Sequence, residues 1–140
     1  MKNVLILCTG NSARSIMAES YFNHAGAGKW RAYSAGSTPT GVVNPFALQT
    51  LELDGIAVET PRSKSWDEFA IEGAPHMDLV ITVCDNAANE SCPFWPGAPE
   101  RMHWPFPDPA AVEGSDAEKL SAFREVYDDI KRQVDAFLSS

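Results

Sequence analysis

Apolar residues form a short unbroken run at Val4-Leu5-Ile6-Leu7 and then recur at Ile16, Met17, Tyr21 and Phe22 with near-helical spacing. The run suits a strand buried on both faces of a parallel sheet. The spacing that follows predicts a helix over 15–25, ended by Gly26 and Gly28. A second strand is expected over 30–34, closed by Ala35-Gly36. Asn44-Pro45 reads as an N-cap and first helical residue, with Gly55 stopping the helix that carries Leu51 and Leu53. Ser65-Trp66-Asp67-Glu68 has the form of a capping box and predicts another short helix, and Met77 to Val83 predicts a strand ending at Cys84.

From Cys84 to Pro109 the texture changes. Pro93, Pro96, Pro99, Pro105, Pro107 and Pro109 exclude a long helix or a central strand through most of it and leave room for a short strand near 101–104. A second capping box, Ser115-Asp116-Ala117-Glu118, then opens a helix with Leu120, Phe123, Val126, Ile130, Val134 and Phe137 on one stripe. Strands alternating with helices predict a three-layer α/β/α sandwich on a parallel sheet. Such sheets bind ligands at the carboxyl ends of their strands, where Cys8 and Cys84 both fall.

The chain of 140 residues is 44% hydrophobic, enough for a single domain over 1–140 with a real core. Its N-terminal apolar run is too short for a signal sequence or a membrane span, so a cytoplasmic location is expected. Three cysteines without a secretion signal argue for reduced thiols, and for a transient catalytic disulfide over a structural one. The formal net charge of −8 disfavours nucleic acid and anionic membranes as partners. An anionic substrate would have to be held by a local positive site against that global field.

Such a site is legible in Cys8-Thr9-Gly10-Asn11-Ser12-Ala13-Arg14-Ser15. A loop of this length between strand and helix curls its N–H groups around a tetrahedral oxyanion at the helix N-terminus. Gly10 and Asn11 tolerate the left-handed backbone that a tight cradle needs, and Arg14 adds a planar fork able to hold two oxygens. The same surroundings favour a Cys8 thiolate, toward which Ser15 could donate a hydrogen bond. A cysteine alone at a strand end would be read as core. The set of cysteine, glycine, arginine and serine at this spacing is not.

Cys-x5-Arg-Ser after an N-terminal strand, with Ser34-Ala35-Gly36 further on and Asp108-Pro109 late in the chain, resembles the low-molecular-weight tyrosine phosphatases and the arsenate reductases built on their fold. The resemblance covers essentially the whole chain and implies a four-stranded parallel sheet. On the reductase branch it implies reduction of arsenate to arsenite for arsenic detoxification, with phosphate or sulfate as competing oxyanions bound by Thr9, Gly10, Asn11, Ser12, Ala13 and Arg14. Cys8 would attack arsenate while Asp108 protonates the departing oxygen. Cys84 would then attack Cys8 to release arsenite, and Cys92 would take over the disulfide for reduction by thioredoxin, or by glutaredoxin and glutathione. No cofactor or metal ion is expected, and a monomer is.

The alternative is a tyrosine phosphatase working through a Cys8 phosphocysteine; a residual phosphatase activity is compatible with either reading. Two thiols beyond the loop favour the reductase, since a phosphatase needs only water. So does His103-Trp104 running into Asp108-Pro109, with Ala110 and Ala111 where phosphatases of this fold usually carry tyrosines. Ala13 stands where many relatives have another cysteine, and the Cys84 to Cys92 spacing is one residue longer than in the best-known thioredoxin-linked reductases. Asp108 alone would be read as the start of a turn. Cys84, Cys92 and His103 lack the spacing and the fourth ligand of a zinc site. His24 and His76 read as surface residues, and Trp66, Trp95 and Trp104 as core or loop anchors.

Overall fold

A computed structural model of the chain describes residues 2–56, 62–71, 73–83 and 99–139. Four parallel strands, β1 (Lys2–Leu7), β2 (Trp30–Ala35), β3 (Leu79–Thr82) and β4 (Glu100–His103), lie in the order β2-β1-β3-β4. The chain therefore leaves β1 toward one side of the sheet and later returns to its other side. That reversal lies at the carboxyl end of β1, where open parallel sheets form their binding crevice.

Val4, Leu5, Ile6 and Leu7 are wholly buried, because β1 has a strand on either side and cover on both faces. Each such side chain contributes roughly 1.5–3 kcal/mol of burial. One face is covered by α1 (Arg14–Ala25) and α3 (Asp116–Ser139), with α2 (Pro45–Leu53) docked on both. Trp30 packs edge-on against Phe22 of α1 and Phe137 of α3, and Trp104 against Phe137. On the other face, Phe69 meets Tyr33 of β2. Asn23 of α1 reaches across to edge strand β2 and satisfies both backbone groups of Ala32, at 3.1 and 2.8 Å.

The helix ends follow the sequence. Asn44 caps α2 by accepting from Phe46 N–H at 2.9 Å, with Pro45 at the first helical position, and Gly55 leaves the helix at a φ of 70°. The second capping box forms: the Ser115 hydroxyl accepts from Glu118 N–H at 3.2 Å while the Glu118 carboxylate turns back to Ser115. Phe123, Val126, Ile130 and Val134 are buried as the stripe predicts, joined by Tyr127, whose hydroxyl donates to Asp54 at 2.6 Å and ties α3 to the end of α2.

Two expectations need correction. Ser65 does not open a capping box. Its hydroxyl accepts from Asp67 N–H, Glu68 pairs with Arg62 instead, and the result is one turn of 3-10 helix over Trp66–Phe69. The third strand is also shorter than 77–83: Met77 is buried as a plug before it, and the paired ladder spans Leu79–Thr82. Trp95 lies outside the described residues, and no described helix is long and apolar enough to cross a membrane.

Candidate active site

The segment from Cys8 to Ser15 leaves β1 and enters α1 at the sheet's point of reversal, as the sequence predicts. Asn11 is the one described non-glycine residue with a left-handed backbone, at a φ of 45°. Its side chain is fully buried and fixed at both ends. Nδ2 donates to Ser15 Oγ at 2.8 Å and to Ser34 Oγ at 3.0 Å, and Oδ1 accepts from Lys64 N–H at 2.9 Å. Helix α1 begins after Ala13 with no side chain capping it, so its first amides face the loop.

A second layer clamps the loop from outside. The carbonyl of Thr9 accepts from Thr38 N–H, and that of Gly10 from Thr40 N–H and from the Ser63 hydroxyl. The carbonyl of Ser12 accepts from Asn44 N–H, joining the loop to the start of α2. These bonds tie three of the loop's carbonyls to the surrounding chain.

Gly36 sits closest of all. A Cβ there would lie 2.3 Å from the Thr9 carbonyl oxygen and 2.7 Å from that of Cys8. Both obstacles are backbone, so the loop itself would have to shift. Gly36→Ala is expected to cost more than about 3 kcal/mol of stability and to abolish tight oxyanion binding; chemical denaturation and phosphate calorimetry check both.

From the opposite side, Trp104 and Phe106 donate backbone bonds to the carbonyls of Thr82 and Val83, which carries the chain across the end of β3 to Asp108. Arg14 donates to the Phe106 carbonyl at 3.0 Å, and its other nitrogen lies 3.9 Å from the Asp108 carboxylate. Asp108 also caps the short turn over Pro109–Ala111, accepting from Ala110 N–H at 2.9 Å. One carboxylate oxygen of Asp108 thus caps the turn, and the other is the one that lies toward Arg14. Cys8, where the loop leaves β1, and Ser15, in the first turn of α1, are both buried. Cys84 and Cys92 lie outside the described residues. His103 Nδ1 is 2.7 Å from the Thr82 hydroxyl, and His24 and His76 are exposed.

Sequence reasoning gave no sign of Lys64. It is buried behind the loop, with its ammonium 3.9 Å from the Glu19 carboxylate and 3.2 Å from the Arg62 carbonyl. Burial pushes the Glu19 carboxyl up, against the pull of Lys64 and the hydrogen bonds from Ser34, while burial pushes the Lys64 ammonium down against the pull of Glu19.

A sequence model of the low molecular weight phosphotyrosine protein phosphatase family matches residues 3–140. The chain belongs to that family. Within it, the chain is 41% identical over 136 residues to an arsenate reductase of Halalkalibacterium halodurans, covering 97% of this chain and 94% of that one. It is 38% identical, with the same coverage, to an arsenate reductase of Bacillus subtilis. The crystal structure of arsenate reductase from Archaeoglobus fulgidus superposes with a TM-score of 0.74 at 28% identity, covering 98% of this chain and 99% of that one. The four-stranded parallel sheet and its helices are the phosphatase family's α/β fold.

Proposed function

We propose that the protein is an arsenate reductase: Cys8 forms a thiol–arsenic adduct, and Cys84 and Cys92 carry the resulting oxidation away. The observation that carries this reading is the meeting, at 3.9 Å, of Arg14 at the end of the anion loop with Asp108, delivered from the far side of the sheet; Cys8, at the start of that loop, is buried. That arrangement supplies an anion clamp, a proton donor and a nucleophile around one point. The curated relatives at 41% and 38% identity, both arsenate reductases, point to arsenic over a phosphate ester. The exposed Ala110 and Ala111 after Asp108-Pro109 offer no aromatic surface to grip an aryl phosphate.

In this mechanism the Cys8 thiolate attacks As(V), an oxygen leaves as water with a proton from Asp108, and an S–As bond forms. Cys84 then attacks the Cys8 sulfur. The electron pair of the S–As bond passes to arsenic, arsenite departs as As(III), and a Cys8–Cys84 disulfide remains. Cys92 attacks the Cys84 sulfur, restoring the Cys8 thiolate and leaving a Cys84–Cys92 disulfide for an external dithiol such as thioredoxin. Two thiols are oxidised for each arsenate reduced.

Incubation with arsenate, thioredoxin, thioredoxin reductase and NADPH tests the relay. Steady NADPH oxidation is expected from the wild type and should vanish in Cys84→Ser, while Cys92→Ser should release about one arsenite per enzyme and stop. Undiminished turnover by Cys84→Ser would refute the relay. Aryl phosphate hydrolysis without any arsenate-dependent NADPH oxidation would make the protein a phosphatase. Replacing thioredoxin by glutathione and glutaredoxin identifies the reductant.

A further inference from the structure

We propose that the Ser63 hydroxyl is a latch on the peptide between Gly10 and Asn11, a positioning residue that holds this peptide in the one orientation from which the Asn11 N–H can serve a bound oxyanion. The inference rests on the loop being the oxyanion site, and holds whether arsenate or a phosphate ester is the substrate.

Of the three loop carbonyls tied to the surrounding chain, that of Gly10 is the one held twice. It accepts from Thr40 N–H at 3.1 Å and from the Ser63 hydroxyl at 3.0 Å. The direction of the second bond follows from the donors present. Gly41 N–H can only donate and gives its proton to Ser63 Oγ at 3.2 Å, so the single proton of that hydroxyl is left for the Gly10 carbonyl. A trans peptide points its N–H opposite to its C=O, so the Asn11 N–H is aimed away from Thr40 and Ser63. With protein on the carbonyl side, the N–H side is the one from which this peptide can reach a ligand.

The same peptide is held against its own backbone preference. A flip would turn ψ of Gly10 and φ of Asn11 together, and would return Asn11 from a φ of 45° to the negative range that residues with a Cβ favour. The flipped peptide would present a carbonyl oxygen to the anion where it now has a donor to offer, exchanging attraction for repulsion. Two restraints oppose this. The Asn11 side chain is anchored to Ser15, Ser34 and the Lys64 N–H, which holds the peptide from its Asn11 end. Ser63 holds it from the Gly10 end, and in two ways at once. Besides its own bond to the carbonyl, it steadies the other donor, because Thr40 stands beside Gly41 in an exposed turn whose next residue, Val42, is 68% exposed. Loss of the hydroxyl would remove one donor and loosen the support of the second.

A tie that only joins neighbouring segments would change stability and leave the ligand alone, so the test follows the ligand and the Asn11 backbone. Ser63 is half-buried, and Ser63→Ala removes a single oxygen, so the fold is expected to stand. The variant should bind inorganic phosphate about 3- to 10-fold more weakly in calorimetry and raise KM for arsenate by the same factor. Its kcat should stay within about twofold of wild type, because a bound oxyanion selects the unflipped loop. By NMR of the ligand-free, isotope-labelled variant, the Asn11 backbone shifts should move from left-handed toward extended values and return at saturating phosphate. Ser63→Thr keeps the hydroxyl and is expected to stay close to wild type in both readings. An Asn11 backbone that remains left-handed in ligand-free Ser63→Ala would overturn the inference, and so would undiminished phosphate affinity. Failure of the wild type to bind phosphate would instead refute the oxyanion site, and the latch with it. Phosphate binding without arsenate turnover would refute only the reductase assignment, with the calorimetry and the Asn11 shifts still deciding the latch.

Discussion

Cys8→Ser is expected to abolish arsenate reduction, by roughly 10⁴-fold or more, while leaving the fold and phosphate binding in place. The serine hydroxyl occupies nearly the same volume at this buried position, so packing around Leu7 and Ala13 should survive. What is lost is an ionisable, polarisable nucleophile, because a hydroxyl with its much higher pKa stays protonated where a thiol ionises. The measurement pairs NADPH-coupled turnover with phosphate calorimetry. Retained turnover in Cys8→Ser would remove Cys8 from the chemistry, and lost phosphate affinity would mean that the sulfur helps to build the cradle.

The second large effect is expected at Arg14, where even lysine should fail. The guanidinium uses one nitrogen on the Phe106 carbonyl and turns the other toward Asp108, so its plane is fixed by the segment that brings the acid to the site. Lysine keeps the charge but presents it as a point, without two parallel donors and without that tether. Arg14→Lys should lower kcat/KM by about 10²- to 10³-fold and weaken competition by phosphate. Wild-type kinetics in Arg14→Lys would show that charge alone suffices and that the tether to Phe106 is incidental.

Much of this was legible in the sequence because its signals are local. The fully buried run of β1, the Asn44-Pro45 cap, the Ser115 to Glu118 box and the Cys8 to Ser15 spacing each lie within a few residues of chain, and each appears as expected. The Ser65 box failed for a physical reason of the same scale. Glu68 had a stronger partner in Arg62, and a charge-assisted fork outcompetes a cap. Lys64 was invisible because its meaning comes from Asn11 and Glu19, distant in sequence and joined to it only when β2 and the segment after α2 close over the loop. Sequence spacing cannot report a contact that the sheet creates. Asp108 lies between these cases: its turn-forming role reads directly from Asp-Pro, while its approach to Arg14 needed β4 to run alongside β3.

Helix α1 opens on Ala13, which offers its leading amides no acceptor of its own. Wherever phosphate exceeds its dissociation constant, that terminus would be completed by this tetrahedral ion. The enzyme would then owe part of its thermal endurance to a rival of its own substrate, about 2.7 kcal/mol at a hundredfold excess over the dissociation constant. Arsenate would have to displace a stabilising guest, so starving a cell of phosphate would leave this protein more easily unfolded and quicker to respond.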